Sequence, residues 1–294
     1  MKHAFLIMAY NNWNQLCLLL KQIDAPNHDI YIHIDLKSTE VPVKKIKNAV
    51  KQSALRIYRQ FKIYWGGYSQ VETELFLFEI AEKEHYDYYH LLSGSDLLLV
   101  NNKKFDDFFK QNQGFEFIDY DDDTLEHNPE IFRRAKYYHF LQNYRKRYRQ
   151  KWKNTFFTTI ERGLLVAQII LHVNRIKSLD WNIRYGSQWI SITDDMIKTV
   201  LANKEIIYKV FHCTNCADEL FVQTIAYNYG FKDKIYSNGN MRYIDWKRRD
   251  GGSPYTFRLV DYDGIMSSGK LIARKFSDQV DQNVIRKVFE ETRR

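Results

Sequence analysis

HAFLIMAYNNWNQLCLLLKQI (3–23) decides how the rest of the chain is read. Residues 3–10 are almost wholly apolar and do not alternate, as in a strand covered on both faces. Asn12 is then placed to open a helix, with Gln15 three residues on to close a capping box. Leu16, Leu19, Leu20 and Ile23 give that helix one apolar face. A buried strand feeding an amphipathic helix is the first half of a β-α-β unit, and the pattern repeats. DIYIHID (29–35) reads as the next strand and ends on Asp35, followed by a polar helix over about 43–53 and a strand at ALRIYR. Ser69 and Glu72 form a second capping box, for a helix running to about Glu84. YYHLLSGSDLLLV (88–100) begins as a strand, Asn102 to Gln111 reads as a helix with Phe105, Phe108 and Phe109 inward, and FEFIDY (115–120) reads as a strand. This alternation predicts an α/β fold: a mostly parallel central sheet with helices on both faces. Ligands of such sheets sit beyond the carboxyl ends of the strands. Asp35, Trp65 to Ser69, and Ser95–Asp96 all fall at such ends and are expected to converge.

Beyond residue 125 the pattern changes. Residues 126–180 are basic, aromatic and helical in character and read as an insertion. WISIT (189–193) returns to strand, and Asp194 and Asp195 open a helix at the favourable end of its dipole. ADELFVQTIAYN (217–228) reads as one helix with Asp218 and Glu219 in its first turn. RYIDW, TFRLV and LIARKF read as short strands before a charged helix. The expected organisation is one domain over 1–294, with two halves, 1–125 and 181–294, on either side of the insertion (126–180).

Composition narrows the classes. Aromatics make up 16% of the chain, with 21 Tyr, which suits surfaces that are partly apolar and partly wet. The net charge of +8 favours anionic partners. Residues 133–153 hold nine Arg and Lys and no acid, a stretch that fits a solvated helix face, an anionic acceptor or an anionic membrane surface. The apolar run 156–173 is interrupted by Glu161 and Arg162, so its uncharged part is too short to span a bilayer. The first strand is expected directly after Met1, with no signal peptide. Three cysteines make no disulfide framework, and Cys213–Cys216 is a single C-x-x-C without the second half of a zinc site. A cytoplasmic location follows as the expectation, with peripheral contact at the inner face of the plasma membrane.

Several chemistries fail on their motifs. AYNNWNQ carries no glycine where a dinucleotide fold needs G-x-G-x-x-G, and neither a P-loop nor G-x-S-x-G is present. DYDDD (119–123) offers acids at a strand end, which reads more simply as a solvated run than as a metal site. Ser95–Asp96 looks like half of an Asp-x-Asp metal motif, with Gly94 in the place of the first acid. Arg258 in TFRLV, and Arg274 and Lys275 in LIARKF, are cations able to stabilise a departing pyrophosphate in a metal's stead.

Taken in order, AFLIMAYNNWNQLCLLL, YIHIDLKS, WGGYSQVE, YYHLLSGSDLLL, GSQWISIT, CADELFVQTI, MRYIDW and LIARKF resemble the core-2/I-branching β-1,6-N-acetylglucosaminyltransferase and peptide O-xylosyltransferase family. The resemblance covers nearly the whole chain apart from 125–180. It implies a GT-A-type, inverting glycosyltransferase that uses a UDP-sugar and no metal or other cofactor. It implies Glu219 as general base, and Arg258 and Lys275 as cations on the UDP diphosphate. Asp35 and Trp65 become donor contacts near the nucleotide, and Trp246 an acceptor-stacking residue. Asp96 is then left to hold a sugar hydroxyl on the donor side, or the turn itself. Lacking the anchor and disulfides of secretory members, the chain is expected to be bacterial-type. N-acetylglucosamine is the expected sugar and surface polysaccharide synthesis, on a glycan or lipid-linked acceptor, the expected role. LIARKF leans towards the xylosyltransferase branch, and Arg248 stands where the branching enzymes would carry an aromatic. Non-catalytic carbohydrate binding and nucleic-acid binding are the readings from other classes. No recognition motif supports the latter, so no nucleic-acid partner is expected.

Overall fold

The computed structural model describes residues 1–121, 128–144, 150–177, 179–247 and 253–293. Four strands run parallel, β1 (His3–Ala9), β2 (His28–Ile34), β3 (Ala54–Tyr58) and β4 (Tyr88–Ser93), and β6 (Ser191–Thr193) closes the sheet antiparallel to β4. The order is β3-β2-β1-β4-β6. The chain winds outward from β1 to β3 and then returns to the other side of β1, so the winding reverses between β1 and β4. That reversal opens a crevice at the carboxyl edge. A second sheet has the order β5-β8-β7, built from β5 (Asp96–Leu98), β7 (Arg242–Ile244) and β8 (Ile272–Arg274).

The α/β expectation holds, and β1 shows why. Phe5, Ile7 and Ala9 join a core with α1 (Trp13–Ile23), α4 (Asn102–Gln111) and α11 (Gln282–Thr292). Ala4, Leu6 and Met8 face the opposite core, shared with α3 (Ser69–Glu82), α7 (Asp194–Ala202), α8 (Lys204–Phe211) and α9 (Phe221–Asn228). Successive residues of one strand are buried on both sides, so no polar alternation is possible. Shorter helices α2 (Val43–Asn48), α5 (Pro129–Lys136) and α10 (Tyr262–Met266), and the long α6 (Lys151–Ile170), complete the described structure.

Local expectations fail at several points. Neither capping box forms. Asn12 sits in the left-handed region at φ 55°, where its side chain makes no cap bond, and Gln15 is buried instead. Ser69 is already helical, and its Oγ accepts from the Tyr64 N–H at 2.8 Å. FEFIDY makes isolated bridges only, Glu116 to Ile235 on one side and Phe117 to Ser191 on the other. TFRLV is not a strand either. Leu259–Asp261 is a 3-10 turn whose Asp261 carboxylate accepts the Arg258 N–H at 2.9 Å. ADELFVQTIAYN breaks at Leu220 (φ −125°), leaving a 3-10 turn at Ala217–Glu219 ahead of α9.

Candidate active site

The carboxyl ends of the strands bring most of the expected residues to one edge. The backbone N–H of Asp35, after β2, donates to Ala9 O at 2.9 Å. On the other side of the β1 end, Gly94 N–H, after β4, donates to Met8 O at 3.1 Å. Asp35 is buried, and its Oδ1 accepts from the backbone N–H of Lys37 (2.9 Å) and of Ile63 (3.4 Å). It thereby holds the segment leading to Trp65, which is 61% exposed. His33 supports the same segment: its Nε2 accepts from the N–H groups of Gln60 (3.2 Å) and Phe61 (3.1 Å). Burial pushes the His33 pKa down to about 4. Gly66 O in turn accepts from Cys216 N–H at 2.9 Å, and Gln70 Nε2 donates to Asp218 Oδ2 at 2.9 Å. These bonds tie the Trp65 loop to the segment carrying Glu219.

Glu219 lines a cavity of about 450 Å3 with Asp119, Tyr120, Tyr185, Gly186 and Trp246. Gly186 is required there. A Cβ at this position would lie 1.8 Å from Asp119 O, and the Gly186 N–H donates to Glu219 O at 3.0 Å. Glu219 Oε2 accepts from Arg134 Nη1 at 2.8 Å, and Arg134 also donates to Glu130 at 2.8 Å. Burial raises the Glu219 pKa and Arg134 opposes the rise. The break at Leu220 takes Glu219 out of the first turn of α9, where the sequence placed it, so the dipole of α9 does not act on it there. Asp218, fully buried next to it, is pushed up to about 8 by burial and by Glu219. Glu74, also fully buried, is raised by burial and then by Asp218. Glu219, partly exposed on the cavity wall, is thus backed by two wholly buried carboxyl groups, Asp218 and Glu74, a pattern found at functional sites.

The cations cluster at the other end of the edge. Lys275 O accepts from Phe257 N–H at 2.9 Å, and Phe276 N–H donates to Ser95 O at 2.9 Å. The Lys275 backbone is therefore fixed between Arg258 and the Ser95–Asp96 turn. Its ammonium is half-buried, with no hydrogen-bond or ion-pair partner among the described residues, and burial and then Arg274 lower its pKa. Arg258 is exposed. Arg274 is committed elsewhere: it stacks over the Trp189 ring at 4.1 Å and donates to Ser93 Oγ and, at 2.8 Å, to Asp96 Oδ1.

Asp96 is 1% exposed. Oδ2 accepts from Ser93 N–H (2.8 Å), and Oδ1 from Ser93 Oγ (2.9 Å) as well as from Arg274. Its oxygens hold the turn, so in this conformation it braces this edge from beneath and turns neither oxygen to the surface. Asp119 accepts from Asn240 N (3.2 Å) and Nδ2 (2.9 Å). Asp122 and Asp123 of DYDDD, Arg248, and Arg145 to Arg149 of the basic run lie outside the described residues. Among the described residues, the groups with metal-ligand spacing are His3–His28–Asp106 and Glu82–His85–Asp194, at the amino ends of the strands. Cys17, Cys213 and Cys216 are buried free thiols.

Sequence reasoning missed Arg134, Tyr120, Tyr185 and Gly186. Arg134 lay inside the basic run 133–153, where nothing distinguishes one cation from its neighbours.

The chain is 24% identical over 303 residues to xylosyltransferase sqv-6 of Caenorhabditis briggsae, covering 93% of this chain and 34% of that protein. It is 25% identical over 300 residues to xylosyltransferase oxt of Drosophila melanogaster, covering 92% and 31%. The chain thus spans about a third of the length of these curated relatives. Among solved structures, mouse xyloside xylosyltransferase 1 in its apo form aligns over 92% of this chain and 96% of that one, at TM-score 0.40 and 8% identity. No helix among the described residues is long and apolar enough to cross a membrane. The profile of the Core-2/I-branching enzyme family matches residues 3–266, and the chain belongs to that family.

Proposed function

We propose that this chain is an inverting glycosyltransferase of the GT-A type, using a UDP-sugar and no catalytic metal. The acceptor hydroxyl oxygen attacks the anomeric carbon as the bond from that carbon to the diphosphate oxygen breaks. Glu219 takes the hydroxyl proton, and UDP leaves with its new negative charge facing Lys275 and Arg258. Attack opposite the leaving group turns an α-linked donor into a β-linked product. Asp35 and Trp65 bound the nucleotide end, and Trp246 offers an aromatic face to the acceptor sugar. On this reading residues 1–125 hold the donor and 181–294 supply the base and the acceptor site, with 126–180 between.

The observation that carries the reading is Glu219: a partly buried carboxylate, its pKa raised by burial and its side chain oriented by Arg134, on the wall of the cavity that also receives Trp246. A general base works best with a pKa near the operating pH. The Lys275 ammonium, half-buried and without a hydrogen-bond or ion-pair partner among the described residues, supports the metal-free half of the reading.

N-acetylglucosamine is the proposed sugar, with a bacterial surface glycan or its lipid-linked precursor as acceptor. Transfer of xylose is the second reading, favoured by the names of the relatives. Hydrolysis of UDP-N-acetylglucosamine and of UDP-xylose, each with and without EDTA, tests both. Turnover of one donor that EDTA leaves unchanged is the expected result. Activity lost in EDTA and restored by Mn²⁺ overturns the metal-free mechanism.

A further inference from the structure

Helix α6 is built inside out. Its inward face carries Glu161 and Gln168, both buried. Glu161 Oε1 meets His139 Nδ1 at 2.9 Å. Gln168 accepts from the Tyr138 N–H at 2.8 Å and donates to Tyr138 O at 3.0 Å. At about 100° per residue, Trp152, Phe156, Ile160 and Leu164 fall on the outward side, and Ile170 returns to the azimuth of Trp152. All of these are exposed, Trp152 at 66%, Ile170 at 69% and, just past the helix end, Leu171 at 73%. A helix on a water-facing surface shows the reverse pattern, and an exposed apolar face of this length marks an interaction site.

The surroundings select the occupant. Residues 133–177 contain twelve Arg and Lys and a single acid, Glu161, which is the one turned inward against His139. The described cations Lys151, Lys153 and Arg162 on α6 therefore have no exposed acid beside them in this segment. An apolar stripe with cationic flanks matches an anionic bilayer surface, whose headgroups pair with Lys and Arg while Trp, Ile and Leu enter the acyl boundary. A nucleic acid would use the cations and leave the aliphatic side chains in water. The helix carries Lys151, Lys153, Asn154, Glu161, Arg162 and Gln168, so it lies in the interface and does not span it.

We propose that α6 is the membrane-docking element of this protein, seating its outward face, from Trp152 to Leu171, in an anionic lipid surface. The same helix is fastened to the segment that follows Arg134 through Tyr138 and His139, so docking places the Glu219 side of the molecule in a set relation to the bilayer. On the transferase reading, that arrangement suits a lipid-linked acceptor.

The test is flotation of the full chain with phosphatidylcholine vesicles, with and without phosphatidylglycerol. The wild type should float with the phosphatidylglycerol vesicles and far less with phosphatidylcholine alone. Ile170→Glu/Leu171→Glu should lower the partition by about tenfold or more, whereas Val260→Glu, at an 85% exposed apolar residue elsewhere, should not. UDP-sugar hydrolysis in free solution should be unchanged in Ile170→Glu/Leu171→Glu, which separates failure of docking from failure of the catalytic reading. The proposal is overturned if the wild type does not float with anionic vesicles, or if the double variant floats equally well. It is also overturned if the wild type binds duplex DNA and no vesicle, or forms a dimer that the double variant breaks while neither binds lipid.

Discussion

Among the described residues, two open cavities of nearly equal size lie at opposite ends of the sheet, one of about 450 Å3 at the carboxyl ends and one of about 460 Å3 at the amino ends. Both contain carboxylates. At the amino ends Asp194 faces Lys198 Nζ at 2.6 Å and accepts from the Tyr89 hydroxyl at 2.7 Å, beside a His85 that is largely exposed. Ion pairs of this kind near solvent are worth little. At the carboxyl ends Asp218 and Glu74 are wholly buried and Glu219 partly so, and burial raises the pKa of each. Volume does not tell the two apart, and burial alone does not either, since Glu116, bonded to Thr193 at the amino-end cavity, is also raised by burial, to about 7; what sets the carboxyl end apart is the adjacent Asp218–Glu219 pair at its wall.

The largest expected effect breaks that comparison outright. Glu219→Gln keeps the shape and removes the basicity, and should lower kcat by about 10²–10⁴-fold. Asp194→Asn, at the rival cavity, should leave kcat within about twofold, since it removes only a surface pair. Equal losses, or a Glu219→Gln enzyme near the wild-type rate, would place the chemistry elsewhere.

The donor edge comes next. Removing one fixed group that stabilises developing charge costs on the order of 10²-fold in kcat. Lys275→Ala should show a loss of that size, with Arg258→Ala equal or smaller because Arg258 is exposed and solvent shares its task. Asp96→Asn should behave differently. It weakens the Arg274–Ser93 brace beneath the turn, so a fall in melting temperature should accompany any loss of rate.

Much of this was legible beforehand. The parallel sheet followed from β1, where every residue faces a core and the apolar run is unbroken. Asp35 and Trp65 reached the carboxyl edge because topology alone puts strand ends there. What the chain does not show locally is who pairs with whom. Asp96 looked half of a metal motif because its partner Arg274 stands 178 positions away. Arg134 was hidden in a uniform basic run, and only its 2.8 Å bond to Glu219 singles it out. The capping boxes failed for the converse reason: the local pattern was present, but a left-handed Asn12 and the competing Tyr64 N–H drew the side chains into other roles.

A smaller effect belongs to the acceptor. Trp246 is about half exposed and reaches the cavity from beyond β7. Stacking of this kind is worth about 0.5–1.5 kcal/mol. Trp246→Ala should therefore raise the acceptor KM by roughly three- to tenfold, with donor hydrolysis in the absence of acceptor unchanged. A change in donor hydrolysis would put Trp246 on the donor side instead.

The finest test concerns how Glu219 is tuned. A base acts unprotonated, so kcat/KM should rise with pH through the Glu219 pKa and then level off. Burial moves that acid limb above the ordinary carboxylate range, and Arg134 draws it back down by favouring the charged form. Arg134→Met keeps the bulk and deletes the charge, so the limb should move to higher pH. Glu130, which already pushes the Glu219 pKa up, would then act unopposed and add to the shift. Rates measured below the limb should fall, while at a pH above both limbs the variant should recover most of the wild-type value. If Arg134 served only to hold the fold, the plateau would drop and the limb would stay where it was. Glu130→Gln should move the limb the opposite way, to lower pH and by less, because Glu130 is the last and smallest of the influences on Glu219 and its side chain is 80% exposed.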